Sequence, residues 1–340
     1  MFGLGWLRAL TDARGLLEHA HHGVPRLGEG YTTDDNARAL LYLSLLPEGA
    51  RDEGLVRTYL AFLLHMQKED GRFRNGLTLD GRFEDGGEAE APTRRAVLAL
   101  AAAQRLPPPY AGPAREALLR ALPALEGFTS LRGRAYALLG LLALPKEPFL
   151  EAAEALGEGL LRAFREAEPA WPYPGPLTYA NHRPVEALYA YGLAFRRQEA
   201  VALARRALAF LKEHYFTPGE EGLFFDPVGN RFMARGRDKP LFDQQPIEAK
   251  CALLAHLRFG ERVLAEVAFL WFHGRNRLRA PLVDAFGPMD GLTPHGPNQN
   301  RGAEALLAYL LAWQALVQGV FPQVDEGVAL GRVFALGGRP

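Results

Sequence analysis

The feature that most constrains this chain is a phrase that recurs six times: a polar loop, a capping or carboxylate residue, then a helix rich in small residues and apolar nearly all round. The copies are "TTDDNARALLYLSLL", "EAPTRRAVLALAAAQ", "TSLRGRAYALLGLLAL", "ANHRPVEALYAYGLAF", "DQQPIEAKCALLAHL" and "NQNRGAEALLAYLLAWQAL", starting near residues 32, 90, 129, 180, 243 and 298. Between them run helices with one charged face, such as "DEGLVRTYLAFLLHMQ" and "EAVALARRALAFLKEHY". A helix apolar on all sides must be buried, and one with a charged stripe must face water. The alternation therefore predicts an all-α fold in which six inner helices are wrapped by an outer ring, an (α/α)6 toroid. We assign it to one domain over residues 1–320, with a C-terminal tail over 321–340. The sixth outer helix is assigned to the N-terminal "GWLRALTDARGLLEHA".

The connectors make the two ends of such a toroid unequal. Inner-to-outer links are short ("PEGAR", "PKEP", "RRQ", "FGE"), whereas four of the five outer-to-inner links are long and rich in Gly, Pro and aromatics. Loops longer than about 12 residues in a compact domain are usually functional or disordered. Two of these carry hairpin signals, "GRFRNGLTLDGRF" and "GLFFDPVGNRFMARG", in which turn residues separate short apolar runs. All the long loops stand over the N-terminal ends of the inner helices, where unpaired N–H groups and positive dipole ends face a common mouth.

Composition narrows the partners. The 39 basic and 39 acidic residues cancel, so no excess positive field would hold a nucleic acid or an anionic membrane. Arg8, Asp12 and Arg14 interrupt any signal-peptide core, and no apolar run approaches the roughly 18 residues of a membrane span. A cytoplasmic location is expected. A single cysteine, Cys251, excludes an intrachain disulfide and reads as a small core residue. The Leu, Ala, Arg, Gly and Pro bias fits a thermophilic source.

The chemistry collects at the inner-helix entrances. They carry Asp34, Asp35 and Asn36; Glu88 and Glu90; Arg132 and Arg134; Asn181, His182, Arg183 and Glu186; Asp243, Gln244, Gln245 and Glu248; and Asn298, Asn300, Arg301 and Glu304. The preceding loops add Tyr31, Trp171, Tyr173 and Tyr179. Amides and arginines suit sugar hydroxyls, aromatic faces suit sugar rings, and glycosidic cleavage needs two carboxyl groups with separated pKa values. Plain structural duties compete. Thr32 with Asp35 imitates a capping box, and Glu186, Glu248 and Glu304, one or two turns inside their helices, could be paired with Arg38, Arg134 or Arg301. No G-x-x-x-x-G-K occurs and no G-x-G-x-x-G follows a strand. In "LLEHAHHGVP", helical spacing would put His21 and His22 on different faces, which favours polar contact by His19 over a metal site. No cofactor and no metal are assigned.

The stretches "LLEHAHHGVPRLGEGYTTDDNARALL", "LTYANHRPVEALYAY", "PVGNRFMARGRDKPLFDQQPIEA" and "DGLTPHGPNQNRGAEALLAYLLA" resemble a bacterial and archaeal family with the six-hairpin glycosidase fold. The resemblance spans most of the chain, with "TDDNARAL" and "FDQQPIEA" its most specific runs. It implies the toroid, a carbohydrate context and a glycosyltransferase partner, since such proteins occur as domains or gene neighbours of glycosyltransferases. The second entrance, "GGEAEAPTRRA", departs from the family's serine-glutamate-aspartate pattern, Glu29 replaces a histidine, and Met289 stands where cysteine is common.

The leading reading is a glycosidase-like hydrolase of an oligosaccharide or glycoconjugate. It would use inverting acid–base chemistry, with about 6.5–9.5 Å between the two carboxyl groups. Asp34, Asp35, Asp243 and Glu248 form the first acid/base pool, with Asp290 and Glu304 second. Asn36, Arg134, Asn181, His182, Arg183, Gln244, Gln245, Asn298 and Asn300 would hold hydroxyls, and Tyr31, Trp171, Tyr173 and Tyr179 would meet sugar rings. A non-catalytic carbohydrate-binding or accessory subunit, a glycosyl transferase or phosphorylase, and a polysaccharide lyase are the alternatives. "DDNAR" lacks the third acid of a diphosphate–magnesium motif, which counts against a terpene cyclase.

Overall fold

The chain alternates between two helix classes, and the computed structural model, which describes residues 3–86 and 89–319, shows where each lies. In chain order the helices are α1 (Leu4–Leu10), α2 (Thr33–Ser44), α3 (Glu53–Met66), α4 (Ala91–Ala102), α5 (Pro108–Leu125), α6 (Leu131–Leu141), α7 (Phe149–Arg165), α8 (His182–Ala194), α9 (Gln198–Tyr215), α10 (Pro246–Arg258), α11 (Arg262–Leu270) and α12 (Ala303–Gln318). Eleven of the twelve residues of α2 are buried, and eleven of twelve in α4, against seven of eighteen in α9. Apolarity on every side puts the even-numbered helices inside. Each packs on the next, and α12 returns to pack on α2, closing the ring. The fold is an (α/α)6 toroid. Glu88 and the tail assigned to 321–340 lie outside the described residues.

Small residues set the inner-ring spacing. A Cβ on Gly140 of α6 would come within 2.9 Å of the Leu98 Cα on α4, so this contact requires glycine. The sixth outer helix is N-terminal, as the sequence suggests, but only α1 of "GWLRALTDARGLLEHA" is helical. Asp12 ends it: its Oδ1 accepts the Arg14 and Gly15 N–H groups at 2.8 and 3.2 Å, a turn that competes with further helix. Trp6 of α1 lies edge-on to Tyr309 of α12, with 6.3 Å between ring centroids. The histidines beyond are not helical either. Ala20–His21 pairs with Val24–Pro25 across His22 and Gly23, both at positive φ as a two-residue hairpin turn requires.

The long loops carry short hairpins, and "GRFRNGLTLDGRF" forms the expected one, with Gly76–Leu77 paired to Phe83–Glu84. In the second loop the hairpin starts earlier. Phe216–Gly219 pairs with Gly222–Phe225, so "GLFF" is its returning strand and "DPVGN" lies outside it. Gly222, at φ 92, supplies the reversal that the two-residue connection needs. Among the described residues no helix is long and apolar enough to cross a membrane.

Candidate functional site

At the α2 entrance Thr32 is the cap. Its Oγ1 accepts the Asp35 N–H at 3.2 Å and its hydroxyl donates to Asp35 Oδ2 at 2.8 Å, so Asp35 binds the cap's hydroxyl and not its backbone N–H as in a capping box. That frees Asp34 from capping. One turn on, Arg38 gathers three carboxylates: Nη1 donates to Asp35 at 2.5 Å, and Nη2 donates to both Asp34 (3.1 Å) and Glu304 (2.5 Å). Arg95 of α4 adds a bond to Asp34 at 3.2 Å. Burial alone would lower the Arg38 pKa, but the Glu304, Asp34 and Asp35 charges lift it above its ordinary value. Asp35 is fully buried, and burial holds its carboxyl above the usual range despite Arg38, with Glu304 and Asp34 adding repulsion.

Asp34 and Glu304 differ from Asp35 in exposure. The Glu304 side chain is 41% exposed and that of Asp34 22%, against 5% for Asp35. Sharing Arg38 Nη2, at 3.1 and 2.5 Å, brings one oxygen of each carboxylate onto a single nitrogen. Asp34 Oδ1 is buried and has no hydrogen-bond partner.

Beside this pair lies a second acidic group. The backbone carbonyl of Glu18 accepts the Ala303 N–H at 2.8 Å, which fixes Glu18 at the α12 entrance. Its carboxyl is pushed up to about 7, first by burial and then by the Asp35 charge, while His19 acts the other way. Asp290 accepts Gly302 N–H at 2.5 Å and the Asn300 amide, and lies 3.8 Å from His19 Nδ1. Burial raises its pKa as well, against those bonds. Asn300 Nδ2 also meets His19 Nδ1 at 3.1 Å, the polar contact expected of His19. The closure between α12 and α2 thus holds two adjoining groups, Asp34, Asp35 and Glu304 on Arg38, and Glu18, Asp290 and Asn300 about His19. Glu18 and Arg95 were absent from the predicted set, because Glu18 sat in a stretch read as helix and Arg95 lies past its helix entrance.

The α6, α8 and α10 entrances are built differently. Arg132 lies over the Tyr179 ring at 3.9 Å and donates to Thr178 Oγ1 at 2.7 Å, giving a half-exposed cation–aromatic surface. Glu248 is buried, accepts the Ala180 N–H, and is pushed up to about 8 by burial. The loop before α8 depends on it, since Ala180 is held at a left-handed φ of 54°. Asp243 is exposed, also left-handed at φ 61°, and Gln245 beside it is half-buried.

Several predicted sugar ligands are committed to the architecture. Asn36 binds the backbone of Leu16 and Thr32, and Asn181 binds Thr178 N–H and the Tyr215 hydroxyl. Gln244 joins Asp226, Leu241 and Trp271. His182 is buried among Tyr215, Phe225 and His256. Arg183 pairs with Glu186 at 2.5 Å, and Arg258 holds the other Glu186 oxygen at 3.0 Å, so Glu186 is a buried structural ion pair. Arg134 turns outward to the Phe128 and Gly159 carbonyls and lines a cavity of about 690 Å³ between α5 and α7, remote from the mouth. Tyr31 is buried and donates to Asp12 at 2.5 Å, and Tyr173 is buried against Phe164. Trp171 packs on Phe210 and His214 at the outer edge. Asn298 is exposed, and its Oδ1 accepts Asn300 N–H at 3.0 Å. Glu90 accepts Thr129 and Ser130 N–H groups, stitching the second entrance to the third. Among the described residues no three His, Cys, Asp or Glu side chains are grouped to hold a metal.

The (α/α)6 toroid, with polar groups at the inner-helix N-termini, is a fold found in solved structures of other proteins. Solved structures share it over nearly their whole length. The chain is similar to a cellobiose 2-epimerase from Bacillus thermoamylovorans (TM-score 0.67, 9% identity, 91% of this chain and 95% of that one). It is similar to a D-mannose isomerase (TM-score 0.68, 9% identity, 94% and 96% covered). It is also similar to an α-1,6-mannanase of Salegentibacter sp., solved as an inactive variant with two adjacent aspartates replaced by alanine and in complex with α-1,6-mannotetrose (TM-score 0.60, 12% identity, 93% and 98% covered). The sequence matches no family model and no curated protein.

Proposed function

We propose that this protein is a carbohydrate-active enzyme that hydrolyses a glycosidic bond in an oligosaccharide or glycoconjugate at the α2/α12 side of the mouth. One observation carries the reading: Asp34 and Glu304, from the first and last inner helices, share one Arg38 nitrogen where the ring closes, and Glu18, whose carboxyl feels the Asp35 charge, is pushed up to about 7. Acid–base cleavage of an acetal requires a proton-donating carboxyl group and a second carboxylate, and a carboxyl raised to about 7 suits the first role. Asp34 or Glu304 serves as the base or nucleophile, and Glu18 donates the proton to the leaving oxygen, with Asp290 next to it. Arg132 and Tyr179 offer a ring platform across the mouth. The mannanase neighbour loses activity with two adjacent aspartates, and this chain has an adjacent pair at its own mouth.

The test is incubation with a panel of manno- and gluco-oligosaccharides, reading new reducing ends and the anomer first released. Turnover should depend on Asp34 and Glu304. A second reading, epimerisation or isomerisation of a reducing sugar, is supported by the epimerase and isomerase neighbours. Glu18, His19 and Asp290 would then move a proton next to the carbonyl. Uptake of solvent deuterium at sugar carbon without new reducing ends would decide for it.

A further inference from the structure

Below the Arg38 cluster, on the toroid axis, the inner helices leave a small enclosed space whose polar lining is entirely cationic: Arg38 from α2, Arg95 from α4, Arg183 from α8 and Lys250 from α10. The rest of its wall is three leucines and an alanine. Each arginine has a carboxylate partner: Arg38 and Arg95 bind Asp34, Arg38 also binds Asp35 and Glu304, and Arg183 binds Glu186. Lys250 has none. It is 1% exposed, and among the described residues its amine makes no hydrogen bond or ion pair. A buried ammonium without a partner is costly, so such groups are paired or neutralised.

We propose that this space is a binding site for a single small anion of halide size, held by the Lys250 ammonium in the field of Arg38, Arg95 and Arg183. The free volume, about 10 Å³, admits about one water-sized body, which suits chloride or bromide and excludes a phosphate group. The anion supplies the one negative charge the cluster lacks. Water could meet these donors but brings no charge to offset the ammonium, which an anion does. The inference does not rest on the proposed reaction, although Arg38 also holds Asp34 and Glu304 at the mouth.

Binding is linked to a proton. With the space unfilled, burial and then the repulsion of Arg95, Arg183 and Arg38 lower the Lys250 pKa to about 7, with Cys251 acting the other way. The groups facing it are those three guanidiniums, Cys251 beside it, Tyr136 of α6 under Arg95 and Arg183, and the Arg38-bound carboxylates above. The anion selects the charged amine. Halide affinity is therefore flat below pH 7 and falls about tenfold per pH unit above it.

Crystals of the full chain soaked in sodium bromide test this directly. An anomalous peak between Lys250 and Arg183 is expected. In solution, bromide should raise the melting temperature over methanesulfonate at equal ionic strength, less so at pH 9 than at pH 6.5, and Lys250→Met should abolish that difference. The proposal is overturned by a cavity without anomalous density in well-occupied crystals, or by an equal bromide response in wild type and Lys250→Met. The soak uses wild-type protein, so it remains decisive if the variant does not fold.

Discussion

Asp34 and Glu304, from opposite ends of the chain, accept hydrogen bonds from the same nitrogen, Nη2 of Arg38. The contact exists only because α12 closes on α2. It couples ring closure to the chemistry at the mouth, and the predictions below follow from that coupling.

Arg38 should be the residue on which both stability and site geometry depend. Its removal strands Asp35, buried with its remaining partner Thr32, and breaks the bridge between the first and last inner helices. Breaking a buried pair from one side costs about 3–5 kcal/mol. We expect Arg38→Ala to lose about that much in urea unfolding, and Arg38→Lys to recover only part of it, because lysine keeps the charge but cannot hold Asp34 and Asp35 in one planar fork.

The pH profile should carry the signature of Glu18. As proton donor it must be protonated, so with its pKa at about 7 activity falls as pH rises through 7. In kcat/KM measured from pH 4 to 9, the alkaline limb should bend near 7. Glu18→Gln should lower the rate about 100-fold or more and remove that limb. A bend left in place by Glu18→Gln would assign the acid elsewhere.

Glu248 has the opposite relation to stability. Its carboxyl titrates at 4.5 unfolded and at about 8 folded, so the folded chain binds the extra proton and stability falls as pH rises from about 4.5 to 8. Glu248→Gln removes the ionisation. It should be more stable than wild type at pH 9 by on the order of 1–3 kcal/mol, with no gain at pH 4. Unfolding curves at the two pH values check the sign.

The fold was largely legible because burial on every side leaves a mark on each residue of a helix. The six inner helices each show it, and their starts were read within a few residues. The end of α1 at Leu10 was less legible, since Asp12 acts by turning its own backbone in a stretch whose apolar spacing still looks helical. The site was legible in part. Asp34, Glu304, Asp290 and Asn300 do converge, but Glu18 joins them through a loop whose course depends on the closed ring. The architectural bonds of Asn36, Asn181 and Gln244 were not legible, because an amide that satisfies a buried loop backbone is the same residue type as one that binds a hydroxyl.

The central claim is tested most directly by the reducing-end assay on Asp34→Asn and Glu304→Gln, each beside its unfolding curve. Both side chains reach the mouth, so both variants should remain folded while turnover of the oligosaccharide that wild type cleaves falls about 100-fold or more. Turnover within a few-fold of wild type in either folded variant would contradict the account.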